Sequence, residues 1–304
     1  METYSVIIAT YSEERFEDLS VAVNSLKRQL FPPKEIVVVV DYNNSLFQKI
    51  KLDFKNCLVL KNKFERGAGG SRNTGLLASS GTLLAFIDDD CIASPRWLLN
   101  INKIFNDKNA IGVGGIIKPI WTTKKPYWFP EEFGWVVGIT NKGTLKGTSQ
   151  VRNIWSGNMA VRKEAAISVN GFNPVFSKIN NNPLPEDTDF CVRISHKWPN
   201  YYWLFNPIAV VYHKVYPYRN KLGYFIRRCF QEGGGKAIMF NKEITKSMRV
   251  EIDYTTQVLF GGLLNNLKDV VTKCDICGLM RSLAIVLGFL ITGLGFLNKR
   301  LFKN

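Results

Sequence analysis

The first third of the chain alternates short apolar runs with amphipathic stretches. Val6-Ile7-Ile8-Ala9-Thr10, Ile36–Val40, Cys57–Leu60 and Leu83–Ile87 are brief apolar runs that lead into polar residues. Runs of this kind read as strands buried on both faces of a parallel sheet. Between the first two, Leu19, Val23, Leu26 and Leu30 recur at helical spacing, and Pro32-Pro33 stops that helix. Arg66–Gly70 reads as a glycine-rich loop leading into a helix that ends near Ser79. Ser94 and Pro95 read as an N-cap and first-turn pair opening another helix. This βαβ succession predicts an α/β fold, Rossmann-like, with a mainly parallel sheet and helices on both faces. Ligands of such sheets sit beyond the carboxyl ends of the strands. Thr10-Tyr11-Ser12, Asp41 and Asp88-Asp89-Asp90 all fall at such ends. Three polar clusters therefore converge on one edge by topology alone.

From about residue 110 the pattern loses regularity. An aromatic loop runs from Trp121 to Trp135, and Pro185-Glu186-Asp187-Thr188-Asp189-Phe190 and His213 follow. Two regions are expected: a catalytic domain over 1–213 and a basic helical extension over 214–304. The extension holds Ser282–Leu297, 16 residues without a charge. As a helix it would span roughly 24 Å at ~1.5 Å per residue, against about 30 Å for a bilayer core. That favours a monotopic or re-entrant segment over a single transmembrane crossing near 282–298; a core helix of a soluble protein is the bland alternative. Glycines 288, 293 and 295 weaken a soluble helix but are ordinary in membrane ones.

Charge supports this division. The net charge is +15, and residues 214–304 contribute 15 basic against 6 acidic residues. A basic balance suits an anionic membrane surface, a phosphorylated substrate or nucleic acid. No helix-turn-helix, zinc-finger or RNP pattern favours nucleic acid. Six scattered cysteines, with one Cys-x-x-Cys at 274 and 277, read as reduced thiols. The first strand begins near the N-terminus with no leader pattern before it, so a cytoplasmic catalytic region is expected.

The chemistry centres on the acid triplet. Carboxylates at the end of a buried strand are rigidly held, and Asp88 and Asp90 would share one side of an extended chain. Three adjacent acids with no Lys or Arg beside them in sequence would repel unless a cation or hydrogen-bond donors offset them; a solvated acidic turn is the bland alternative. Mn²⁺ or Mg²⁺ bound there would control charge at a leaving diphosphate.

The motifs resemble those of family 2 glycosyltransferases. Val6–Ser12, Ile36–Asp41, Gly69–Gly75, Ala85–Asp90, Ser156–Arg162, Gly171-Phe172 and Glu186–Phe190 occur in that family's order. The resemblance implies the GT-A (nucleotide-diphospho-sugar transferase) fold and, usually, inversion at the anomeric carbon. It implies that Thr10, Tyr11, Glu13 and Asp41 hold base and ribose. Arg72, Asn73, Asp88 and Asp89 belong on the donor side. Asp90, Asp88 and His213 are the implied metal ligands, and Asp187 the implied base. Pro126–Trp135 and Arg227–Ala237 are similar to segments of archaeal transferases that extend dolichyl-phosphate-linked glycans. Trp128, Trp135, Asn158, Glu186, Arg227 and Arg228 then fall on the acceptor side.

The resulting expectation is an inverting enzyme. It would move a sugar from a UDP-type nucleotide sugar to a hydroxyl of a lipid-linked (dolichyl or polyprenyl phosphate) saccharide at the cytoplasmic membrane face. Two other readings stand beside it: a polyprenyl-phosphate sugar synthase, and a nucleotide-sugar-binding scaffold with an inactive site.

Overall fold

The computed structural model describes residues 2–143, 146–176, 185–240 and 252–302; residues 241–251 of the expected tail lie outside these. The chain divides into two compact units. The first comprises 1–118, 145–181 and 186–213; the second comprises 119–144, 182–185 and 214–304.

Among the described residues nine strands form one sheet. In chain order they are β1 (Tyr4–Thr10), β2 (Glu35–Val40), β3 (Leu58–Lys61), β4 (Leu83–Phe86), β5 (Cys91–Ala93), β6 (Ala110–Trp121), β7 (Ser149–Val151), β8 (Met159–Arg162) and β9 (Tyr202–Val215). Their spatial order is β3-β2-β1-β4-β8-β6-β9-β5, with β7 paired to β9. The pairs β3–β2, β2–β1 and β1–β4 are parallel. The pairs β4–β8, β6–β8, β5–β9 and β7–β9 are antiparallel. The sheet is thus mixed rather than mainly parallel.

Six helices belong to this sheet: α1 (Phe16–Lys27), α2 (Asn44–Asp53), α3 (Ala68–Ala78), α4 (Trp97–Ile104), α5 (Lys163–Ser168) and α6 (Glu186–Lys197). Strand residues alternate between two cores, as the two-residue period requires. Val6, Ile8, Val38 and Val40 pack with Leu19, Val23 and Leu26 of α1, Leu46 of α2 and Leu98 of α4. Ile7, Val37 and Val39 pack on the other face with Leu76 of α3, Ala166 of α5 and Phe190 of α6. Helices therefore cover both faces.

Two local expectations change. The segment around Gly69-Gly70 is not a loop but the first turn of α3, preceded by Gly67 at φ +133°. A side chain at position 70 would meet the Glu65 carbonyl at 2.0 Å, so the glycine permits close backbone approach rather than freedom. Ser94 does not cap a helix. It sits in a turn closed by Trp97 N–H donating to its carbonyl, and α4 begins three residues later.

The second unit contains α7 (Leu222–Phe240), α8 (Phe260–Lys273) and α9 (Cys277–Leu301), with a π-helical turn at Tyr254–Leu259 leading into α8. The uncharged stretch 282–297 is the middle of α9. This 25-residue helix is long and apolar enough to cross a membrane. The aromatic segment folds onto α7: Trp128, Phe129 and Phe133 all contact the ring of Phe225.

Candidate active site

The parallel register places the site. Thr10 lies level with Val40, and Ile7 with Phe86. The residues just beyond β1, β2 and β4 therefore emerge along one edge. Beyond β2, Asp41 accepts from Asn62 Nδ2 at 2.7 Å and from the Gly67 N–H at 3.0 Å. It lines a cleft of about 480 Å³ with Tyr11, Tyr42, Asn43, Asn44 and Arg66. Arg66 lies over the Tyr42 ring at 5.6 Å, and Tyr42 adopts a left-handed φ of 48°. Exposed Tyr and Arg faces around a carboxylate suit a planar base. Thr10 is buried and Glu13 exposed, while Tyr11 opens onto the cleft.

The acid triplet is not extended. The Cys91 N–H donates to the Asp88 carbonyl at 3.1 Å, closing a turn over 88–91. The turn sends the acids different ways, which replaces the expectation that Asp88 and Asp90 share one side. Asp88 meets Arg72 Nη2 at 3.1 Å. Asp89 and Asp90 meet Arg15 Nη1 at 2.7 and 3.1 Å. Cations distant in sequence thus offset the triplet's repulsion. Burial pushes the Asp89 carboxyl up to about 6 against the pull of Arg15. No pattern in the sequence singles out Arg15, which ends a short 3-10 turn over Glu13–Arg15 five residues past β1; its guanidinium stands 5.4 Å over the Tyr11 ring.

The other oxygen of Asp90 lies 3.4 Å from His213 Nε2. With the Cys91 sulfur these form a buried trio whose ligand atoms lie within 4.8 Å of one another. Register explains the meeting, because Cys91 of β5 pairs with His213 of β9. The donor set fits a divalent cation. Burial, reinforced by the neighbouring acids, raises the Cys91 thiol well above its ordinary range. Asp90 and His213, with Cys91 beside them, are the residues that would hold an ion.

A second ionic chain crosses the site. Arg72, in α3, donates through Nη1 to Glu186 at 3.2 Å and through Nη2 to Asp88. Burial pushes Glu186 up to about 7 despite Arg72. Asp187, beside it in the first turn of α6, accepts from the Ser156 N–H at 3.0 Å. Its other oxygen is buried without a hydrogen-bond partner among the described residues. Burial raises its carboxyl above the ordinary range, against Arg72 and Ser156.

Two expected site residues are turned inward. Asn73 exchanges hydrogen bonds with the backbone of Phe172 at 2.7 and 2.8 Å. Asn158 is 1% exposed. It accepts from Trp97 Nε1 and donates to the carbonyls of Ile116 and Ala209. Both amides brace the scaffold. Within the second unit, Trp135 Nε1 donates to Tyr254 at 3.1 Å, and Trp128 stands edge-on to Phe225. Arg227 covers the Tyr224 ring at 5.5 Å. Arg228 has a buried Nη1 without a partner among the described residues.

A strand-edge cleft beside an acidic turn, on a mixed sheet covered on both faces, defines a nucleotide-sugar transferase of the GT-A class. Two solved structures share the fold. Mannosyltransferase PcManGT from Pyrobaculum calidifontis, in complex with GDP-Man and Mn²⁺, has a TM-score of 0.62 at 14% identity, over 100% of this chain and 88% of that one. GalNAc-T7 with UDP, GalNAc and Mn²⁺ has a TM-score of 0.54 at 18% identity, over 70% of this chain and 43% of that one. The particular family follows from sequence: residues 5–169 match the model of glycosyl transferase family 2, and the chain belongs to that family as a glycosyltransferase. The glucosyl-dolichyl phosphate glucuronosyltransferase of Haloferax volcanii is 29% identical over 99% of this chain and 97% of its own length. A UDP-Glc:alpha-D-GlcNAc-diphosphoundecaprenol beta-1,3-glucosyltransferase of Escherichia coli is 31% identical over 32% of this chain and 36% of its own.

Proposed function

We propose that the chain is an inverting transferase that moves a sugar from a uridine-type nucleotide sugar to a hydroxyl of a lipid-linked saccharide at the cytoplasmic membrane face. The observation that carries the reading is Asp187. An inverting transfer to a hydroxyl is a single displacement, and the acceptor proton needs a base. Asp187 offers one oxygen fixed by Ser156 N–H and one buried oxygen free of other hydrogen bonds among the described residues. A raised pKa makes it a stronger base than an ordinary aspartate.

The remaining residues bind and orient. Tyr11, Tyr42 and Arg66 take the base and ribose, with Asp41 accepting from uracil N3–H. Arg72, bonded to both, keeps Asp88 and Glu186 in fixed positions. Asp90 and His213 would hold Mn²⁺ or Mg²⁺, which supplies charge neutralisation at the leaving diphosphate. Trp128 and Trp135 offer ring faces to an acceptor sugar, and Arg227 and Arg228 offer charge to a lipid phosphate. The near full-length likeness to a transferase named for a dolichyl phosphate acceptor supports the lipid-linked acceptor.

The test is a screen of nucleotide sugars with Mn²⁺ or Mg²⁺ against a membrane lipid extract, read by mass. The expected product is a lipid-linked saccharide extended by one sugar. A product carrying one sugar on a bare polyprenyl phosphate would replace this reading with a synthase. Binding of UDP with no product from any acceptor would replace it with a scaffold.

A further inference from the structure

Two helices of the second unit, α8 and α9, carry mostly small residues at their buried positions and large apolar ones outside. In α9 the buried positions are Gly278, Ser282, Ala284, Gly288 and Gly295, with Ile285 the one large apolar residue among them. A Cβ on Gly295 would meet the Phe230 carbonyl at 2.0 Å, and one on Gly233 would meet that of Thr292 at 2.0 Å. Small residues thus set α9 against α7 with backbones nearly touching. The large apolar residues face outward instead: Leu283, Val286, Leu290, Leu294 and Leu297 are all exposed, at spacings of three and four. The neighbouring α8 repeats the pattern. Gly262 and Asn266 are buried, while Phe260, Leu264, Leu267 and Val271 form an exposed stripe. Water would drive leucines in and leave small residues out. The reverse arrangement, small residues at helix contacts and large apolar ones outside, is what a hydrocarbon solvent selects.

We infer that α8 and α9 together form one lipid-facing surface that lies in the plane of the bilayer interface, with α8 as a second insertion element. This rests on the membrane part of the reading above and extends it. A helix crossing the bilayer would need to be apolar over most of its circumference. Here one side of α9 is packed on α7, which carries Arg227, Arg228, Glu232 and Lys236. The α8 helix carries Lys268 and Asp269, and the connection to α9 carries Asp275 paired to Arg281 at 2.6 Å. These charges belong at headgroup level, with the two stripes below them. The excess of 15 basic over 6 acidic residues in 214–304 complements anionic headgroups, and it argues against a second copy of the same basic surface as the occupant.

Single cysteines carrying an environment-sensitive fluorophore test the inference. They are placed in the full chain after Cys57→Ser, Cys274→Ser and Cys277→Ser. Labels go at Leu264→Cys on α8, at Leu283→Cys and Leu297→Cys on α9, and at Leu52→Cys as an exposed control. All four replace exposed residues, so folding is not at stake. Vesicles are phosphatidylglycerol and phosphatidylcholine. The expected result is quenching by lipid-borne nitroxide but not by aqueous iodide at 264, 283 and 297, at similar shallow depth, with Leu52→Cys open to iodide. Iodide quenching at 264 with lipid quenching at 283 and 297 overturns the inference and leaves membrane association standing. Unequal depths at 283 and 297 overturn in-plane placement. No lipid quenching at any position overturns the membrane reading itself. Shielding without vesicles and with a doubled mass assigns the surface to a second copy. Leu264→Glu with Leu267→Glu weakens vesicle binding at least about tenfold.

Discussion

Each acid in the site is defined by its partner. Asp187 and Glu186 each have one bonded oxygen and one buried oxygen without a hydrogen-bond partner among the described residues. The bonded oxygen of Asp187 is held by a neutral backbone N–H, however, and that of Glu186 by the Arg72 guanidinium. The two adjacent carboxylates therefore answer differently to amide substitution. Glu186→Gln keeps a group that accepts from Arg72 and removes a buried charge. Its carboxyl, pushed up to about 7, lies above the unfolded value of 4.5. A group raised in this way favours the folded state below the unfolded pKa and loses that contribution as pH rises through the folded one. Wild type should therefore lose stability relative to Glu186→Gln between pH 4.5 and 8. Thermal melts of both proteins across that range check it; parallel curves would show that the carboxyl is not buried as described. At the cation site, His213→Ala should weaken Mn²⁺ binding about 10- to 100-fold, read by titration calorimetry with UDP present. Unchanged affinity would remove His213 from the ligand set.

Elements explain what the sequence conceals. The parallel half was legible because β1, β2 and β4 are uninterrupted apolar runs, and their ends pointed to Thr10, Asp41 and the acid turn. The strand β6, Ala-Ile-Gly-Val-Gly-Gly-Ile-Ile-Lys-Pro-Ile-Trp, carries three glycines and a proline, and it lies where the sequence pattern loses regularity. Its glycines answer to tertiary packing: a Cβ at 112 would meet Trp203 at 2.3 Å, and one at 115 the Ala209 carbonyl at 1.9 Å. Propensity is overridden wherever two strands or a ring must come this close. Gly115→Ala should destabilise the protein by about 1–3 kcal/mol, since the obstructing atom is backbone; a denaturant midpoint equal to wild type would refute that packing account. The same limit hid Arg15. Its partners lie 74 and 75 residues away, and only the turn at 88–91 brings them within reach.

For the molecule as a whole, the two units place their apolar side chains differently. The first buries its large apolar side chains on either side of a sheet, as water dictates. The second buries glycines and displays leucines on α8 and α9. The uncharged stretch and the basic tail were legible in the sequence; which faces the leucines occupy was not, because that depends on how α7 meets α9. Raising salt should weaken vesicle binding, since the basic excess acts through screened attraction. Binding unaffected by salt would assign it to apolar insertion alone.

Everything functional converges on one proton. Asp187→Asn preserves shape and removes the base. With a nucleotide-sugar donor, Mn²⁺ and a lipid-linked saccharide bearing a free hydroxyl, single-turnover transfer should fall by about 10²–10⁴, while UDP affinity stays that of wild type. Transfer by Asp187→Asn at the wild-type rate would contradict the account, because the acceptor would then need no base from this residue.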